Sequence, residues 1–160
     1  MVKVSIDSSI FLKLLLNEEG ADVAQRLLEA VEKSEVLAYT TPLVLEEVSF
    51  KLLIAAASSL LNSKDIWRIR EKLARDEKVR AECFRIVDEF SHYVEYLAVK
   101  GLRVEAILYS DWLKSLRYME AFGLLPADAL HLAVAERLGV SSIATFDEDF
   151  KRISWIKTFP

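Results

Sequence analysis

One cysteine, three prolines and four glycines are all that this 160-residue chain offers for stapling or breaking its backbone. Cys83 alone can make no internal disulfide, which fits a reducing compartment. The chain lacks an excess of positive charge: its net charge of −4 argues against a generally basic nucleic-acid-binding surface. Acids gathered to hold a metal would lower the same sum, so a nucleic-acid substrate stays open. No uncharged apolar run approaches the roughly 18 residues that span a bilayer. No basic stretch followed by an apolar one opens the sequence, so no signal peptide is visible and a cytoplasmic location is expected. Also missing are G-x-x-x-x-G-K-[ST], G-x-G-x-x-G and G-x-S-x-G, which removes support for NTPase, dinucleotide and serine-hydrolase readings. There is no internal repeat and no low-complexity segment.

What is present predicts a single domain over residues 1–160. A composition 52% hydrophobic and 29% charged excludes disorder and supplies a sizeable core. Val2–Ile6 reads as a first strand, followed by Asp7, Ser8 and Ser9 and a short apolar helix over Ile10–Leu16. After Gly20, the spacing of Ala24, Leu27, Leu28 and Val31 predicts a second helix. Val36–Thr40 is the next strand. Thr41 caps, and Pro42 begins, a helix running to about Ala57, with a break at Ser58–Ser63. Basic and acidic residues mix from Lys64 to Glu82, as on a solvated helix pair, with Trp67 available to stack on a base. Val79, Cys83, Ile86, Val87, Phe90, Val94 and Leu97 make the stripe of one long helix to about Lys100, on which His92 is a surface residue.

Gly101 ends that helix, and Leu102–Ile107 reads as a third strand. A helix over Tyr109–Phe122 should expose Lys114 and Arg117 and bury Leu113, Leu116 and Met119. Pro126 starts, and Gly139 ends, a helix apolar on almost every face, which predicts burial. Val140–Phe146 reads as a buried strand, followed abruptly by Asp147, Glu148 and Asp149, with a last edge strand over Trp155–Phe159. Strands separated by helices imply an α/β fold: a mostly parallel sheet of four to five strands with helices on both faces.

That order sends acids to one place. Asp7 and Asp147 end strands on the same rim, while Glu47 and Asp128 lie in early turns of helices leaving it. Each has a plain structural reading as well: Asp7 as a helix cap, Glu47 as the partner of Lys51 four residues on. Converging carboxylates repel one another unless protonated or bridged by a cation. Oxygen-only ligands suit Mg²⁺ or Mn²⁺, which can activate a water and stabilise charge on a phosphoryl oxygen.

In these residues the chain resembles the PIN-domain nucleases, and most of all the VapC-like toxins of toxin–antitoxin pairs. The resemblance rests on Val4-Ser5-Ile6-Asp7-Ser8-Ser9, Thr41-Pro42-Leu43-Val44-Leu45-Glu46-Glu47-Val48, Ala127-Asp128-Ala129-Leu130-His131-Leu132-Ala133 and Thr145-Phe146-Asp147-Glu148-Asp149-Phe150. It implies a Mg²⁺- or Mn²⁺-dependent ribonuclease with Asp7, Glu47, Asp128 and Asp147 as catalytic metal ligands. Asp149 is implied as an outer contributor, and Thr145 and Ser8 or Ser9 as supporting hydroxyls. Glu46 is the alternative to Glu47. The implied partners are an RNA substrate and an antitoxin protein. A surplus of apolar residues adds the expectation of a homodimer. One departure stands out: the interval from Glu47 to Asp128 is longer than usual, because of the helices over 64–100. A catalytically silent PIN scaffold that binds protein or RNA, and a nuclease acting on DNA, are the competing readings.

Overall fold

The computed structural model describes residues 1–160. Five strands, β1 (Val2–Ile6), β2 (Val36–Thr40), β3 (Leu102–Val104), β4 (Ser142–Ala144) and β5 (Lys157–Phe159), form one sheet in the order β3-β2-β1-β4-β5. Every neighbouring pair is parallel. Seven helices connect them: α1 (Ser8–Leu15), α2 (Ala21–Glu32), α3 (Pro42–Leu61), α4 (Ile66–Arg75), α5 (Glu77–Lys100), α6 (Tyr109–Phe122) and α7 (Pro126–Arg137). The α/β class expected from the sequence is the one observed. No helix is long and apolar enough to cross a membrane.

Strand β1 sits at the centre, and the chain leaves it first toward β2 and β3, later toward β4 and β5. The connection direction reverses at β1, which opens a crevice at the carboxyl ends of β1 and β4. On one face, Val4 and Ile6 pack with Phe11, Leu28, Val48, Leu52 and Leu97, from α1, α2, α3 and α5. On the other, Leu132 of α7 packs with Ile143, Phe150 and Ile153. Completely burying a side chain such as Leu132 contributes roughly 1.5–3 kcal/mol, which is what seats α7 against the sheet.

Several boundaries differ from those expected, each for a local reason. Helix α3 continues through Ser58–Leu61 and stops at Asn62, in the left-handed conformation. Its second half is held by a small separate core in which Ala57, Ile69 and Cys83 are buried, so the helix keeps packing partners past Ala57. Strand β4 is shorter than Val140–Phe146. The Val140 N–H closes the turn after α7 on Ala135 O, and the Phe146 N–H is taken by Ser9 Oγ at 3.0 Å. Strand β3 ends at Val104, and Ala106 O accepts instead from Arg137. Strand β5 begins only at Lys157.

Helix α6 exposes Lys114 and Arg117 as expected but buries a different face from the one expected. Leu113 and Leu116 are exposed and Met119 is half-buried, while Asp111 and Ser115 are buried. The side of α6 turned to α7 is polar because Asp111 receives a hydrogen bond from Arg137 Nε at 2.8 Å and another from the Leu108 N–H at 2.8 Å. Arg137 holds the Asp111 carboxyl below its usual range despite burial that would raise it. An apolar stripe therefore pointed to the wrong face.

Gly101, between α5 and β3, supplies the first prediction. A Cβ there would lie 2.8 Å from the backbone oxygens of both Val31 and Val36, which cannot move without shifting α2 or β2. Gly101→Ala should lose about 2 kcal/mol by overpacking. Thermal denaturation should register this as a melting temperature lowered by about 4–8 °C.

Candidate metal centre

Asp7 follows β1 with extended backbone and caps α1, so its plain structural reading holds. It also faces the crevice. Its Oδ2 accepts from Ser9 Oγ at 2.8 Å and from Thr145 Oγ1 at 2.9 Å. The Thr145 hydroxyl in turn accepts from the Asp147 N–H at 2.9 Å, so one side chain fixes the ends of β1 and β4 relative to each other. Ser9 and Thr145, not Ser8, carry the hydroxyl contacts to Asp7.

Asp147 caps a short 3-10 turn over Glu148–Arg152, accepting from the Asp149 N–H at 2.8 Å. That turn folds Asp149 back toward α7, where Asp128 occupies the first helical turn. Ligand oxygens of Asp128, Asp147 and Asp149 lie within 4.8 Å of one another, all on partly buried residues. Asp149, expected only at the margin, belongs to this closest trio, although it also pairs with Arg152 at 2.8 Å.

Asp7 and Glu47 lie outside the trio but within reach of its charge. The Asp128 carboxyl is pushed up to about 6, first by burial and then by the charges of Asp7, Asp147, Glu47 and Asp149. Glu47 also makes the ordinary helical ion pair with Lys51, at 2.6 Å, so its plain structural reading holds. Glu46, one residue away on the helix, is exposed.

Sequence reasoning gave no role to His131. It is buried on α7, and its Nε2 lies 3.1 Å from Ser5 Oγ on β1. Its Nδ1 has no hydrogen-bond partner. Burial lowers the pKa of the ring, overriding the opposing pull of Asp7 and Glu47, so the imidazole is neutral at pH 7. An unpaired buried polar atom costs about 1–3 kcal/mol, so the histidine carries a cost that packing alone does not explain. The signal available in the sequence was the spacing. His131 follows Asp128 by three residues and so shares its helix face, just as Ser5 precedes Asp7 by two and shares its strand face.

The donor set fits a hard divalent cation. All candidate ligands are carboxylate oxygens, they crowd at a strand-end crevice, and their mutual repulsion is what a bound cation would relieve. The fixed hydroxyls of Ser9 and Thr145 hold Asp7 in one orientation, as supporting groups at metal sites do.

Comparison with known proteins points the same way. The PIN domain family model matches residues 4–156. Ribonuclease VapC2 of Methanocaldococcus jannaschii is 27% identical over 156 residues, which cover 97% of this chain and 91% of the relative. Among solved structures, Mycobacterium tuberculosis VapC20, a sarcin-ricin loop cleaving toxin, is similar with a TM-score of 0.61 at 18% identity. That match covers 98% of this chain and 99% of the other. VapBC2 from Rickettsia felis, bound to a DNA fragment from their promoter, matches with a TM-score of 0.55 at 16% identity. It covers 99% of this chain and 98% of its counterpart. At these identities the two structures establish a shared fold.

The raised Asp128 carboxyl gives a prediction for protein kept in EDTA. Its folded-state pKa of about 6 exceeds the ordinary 3.8, so metal-free stability is undiminished below about pH 4. It falls as pH rises toward 6 and stays lowered above that. The residue is only half-buried, so solvent screening limits the loss to about 1 kcal/mol. Asp128→Asn removes one repelling charge and should melt at or above wild type at pH 7 without metal, with this pH dependence flattened. Were Asp128 merely favoured by its helix N-terminus, the variant would melt lower, by about 0.3–1 kcal/mol. Melting curves between pH 4 and 7.5 separate the two.

Proposed function

Because the chain belongs to the PIN-domain family, we propose that it is a metal-dependent endoribonuclease of the VapC kind, the toxin of a toxin–antitoxin pair. The observation that carries this reading is the trio of Asp128, Asp147 and Asp149, with oxygens within 4.8 Å in a crevice at the strand ends. Asp7 and Glu47 add their charge to the same place. A silent scaffold would have no use for five carboxylates kept in mutual repulsion. The similarity to ribonuclease VapC2 favours RNA over DNA as substrate. A cytoplasmic location suits an RNA substrate and a chain with one buried, unpaired cysteine.

Asp7, Glu47, Asp128, Asp147 and Asp149 are the residues that would hold Mg²⁺ or Mn²⁺. Such an ion supplies a water of lowered pKa and offsets the negative charge of the scissile phosphate. Thr145 and Ser9 hold the Asp7 carboxylate by its Oδ2, leaving Oδ1 free of hydrogen bonds within the chain. The Asp147 cap fixes Asp149 by its backbone N–H. Lys51, paired with Glu47, and Arg152, paired with Asp149, are cations beside these carboxylates that would meet an RNA backbone. Hydrolysis adds one water across a P–O bond and leaves a phosphate monoester on one fragment and a hydroxyl on the other.

Partners follow from the surface. Tyr109, Trp112, Leu113 and Leu116 on α6, together with Leu108 and Leu125 beside it, are exposed large apolar residues on one stretch of the molecule. We assign this α6 face to a homodimer contact. The likeness to VapBC2 supports a separate antitoxin partner. The helices α4 and α5, with Trp67 exposed under the Arg70 guanidinium, offer further surface for RNA or antitoxin.

Cleavage of single-stranded RNA should require Mg²⁺ or Mn²⁺, stop in EDTA and gain no support from Ca²⁺, whose larger, looser shell positions water poorly. Asp7→Asn, Asp128→Asn and Asp147→Asn should each lower kcat at least about 100-fold, equivalent to some 2.7 kcal/mol of lost transition-state stabilisation. Gel assays of labelled RNA read both effects, and cleavage that persists in EDTA would point to metal-free acid–base chemistry.

For the assembly, light scattering at tens of micromolar should give twice the chain mass. Leu116→Glu should return a folded monomer. A wild-type monomer would remove the dimer.

A further inference from the structure

His131 joins three of the segments that bring acids to the crevice. On its own helix it follows Asp128 by one turn. Through Nε2 it meets Ser5 Oγ on β1, two residues before Asp7. Its ring lies edge-on to Phe150, 6.2 Å between centroids, in the 3-10 turn that carries Asp149 and is capped by Asp147. The Ser5–His131 contact thus forms a rung directly beneath Asp7 and Asp128, with Phe150 closing the third side. We propose that His131 is a positioning residue that sets the spacing of Asp7, Asp128 and the Asp147–Asp149 turn for cation binding, an assignment that rests on the metal-dependent reading above.

Three observations support this role over one in plain packing. The residue is 96% buried, as its 4% relative exposure states, yet one ring nitrogen is unpaired, so apolar packing alone does not call for a histidine here. The Ser5–His131 contact is the one side-chain hydrogen bond between β1 and α7, and it lies at the level where their acids emerge. The imidazole is neutral, so it links the two elements without adding a charge that would offset the carboxylates. A lysine or arginine in its place would compete with the cation.

The test measures Mn²⁺ affinity by isothermal titration calorimetry, with melting temperature in EDTA alongside. His131→Leu fills the space without a hydrogen bond, His131→Gln places an amide nitrogen near the position of Nε2, and Ser5→Ala removes the other half of the contact. Val31→Ala, in the opposite core, serves as a destabilised control. His131→Leu should bind Mn²⁺ about tenfold or more weakly, in the range expected for groups that orient metal ligands. It should melt close to wild type in EDTA, because it exchanges the unpaired Nδ1 for an unpaired Ser5 hydroxyl. His131→Gln should stay within about threefold of wild-type affinity. Ser5→Ala should weaken binding like His131→Leu, and the double variant no further. Val31→Ala should melt earlier and keep its Mn²⁺ affinity. If His131→Leu does not fold, Ser5→Ala decides alone. Equal Mn²⁺ affinity in wild type and in the Ser5→Ala or His131→Leu variants would overturn the positioning role and leave the metal reading intact. A wild-type chain that binds no Mn²⁺ would overturn both.

Discussion

Carboxylates crowded at one rim of a sheet repel one another, and everything around the crevice holds them against that repulsion. Thr145 stands between Asp7 and Asp147, Ser9 between Asp7 and the chain after β4. Buried apolar residues on both faces of β1 supply the cohesion, since Val4 and Ile6 face one core and the α7 side chains face the other. At Asp128 burial, and after it the charges of Asp7, Asp147, Glu47 and Asp149, push the carboxyl up to about 6. A divalent cation would relieve the same crowding.

Much of this arrangement was legible in the sequence because strand ends and helix starts have residue signatures. Thr41-Pro42 and Pro126 announced α3 and α7, and β2 before the one and β4 after the other fixed which end of the sheet each acid would reach. What escaped was chemistry between elements. The polar side of α6 depends on Arg137, which is 26 residues beyond Asp111, and no local pattern contains that pair. His131 looked like one more residue of a buried helix, because its partner Ser5 is 126 positions away. Asp149 looked peripheral until the 3-10 turn curled it back toward Asp128. Side-chain periodicity reads burial well when cores are apolar, and fails where an ion pair replaces them.

Helices α4 and α5 occupy much of the interval between Glu47 and Asp128. Helix α5, with 24 residues and so about 36 Å in length, reaches from the sheet core to well beyond it. Its last turns carry Phe90, Val94 and Leu97 into the main core, whereas its start leans on α4 and the end of α3. Asp65 and Asp76 cap the two helices, so the pair is well formed at both of its starts. Surface is thereby added at the far end of α3 without altering the helix start where Glu47 sits.

The small core around Ala57, Ile69 and Cys83 gives this outlying portion its own cooperativity. It shares helices with the main core but little side-chain packing, so it can open sub-globally at a free energy below that of complete unfolding. Cys83 is the chain's one thiol, it lies inside that cluster, and burial pushes its pKa up, so it is inert while the cluster is closed. The rate at which an external reagent captures that sulfur is therefore a clock for the fluctuations of α4 and the first turns of α5, running separately from the unfolding of the sheet. The chain thus carries a single-site reporter of local motion in α4 and the first turns of α5.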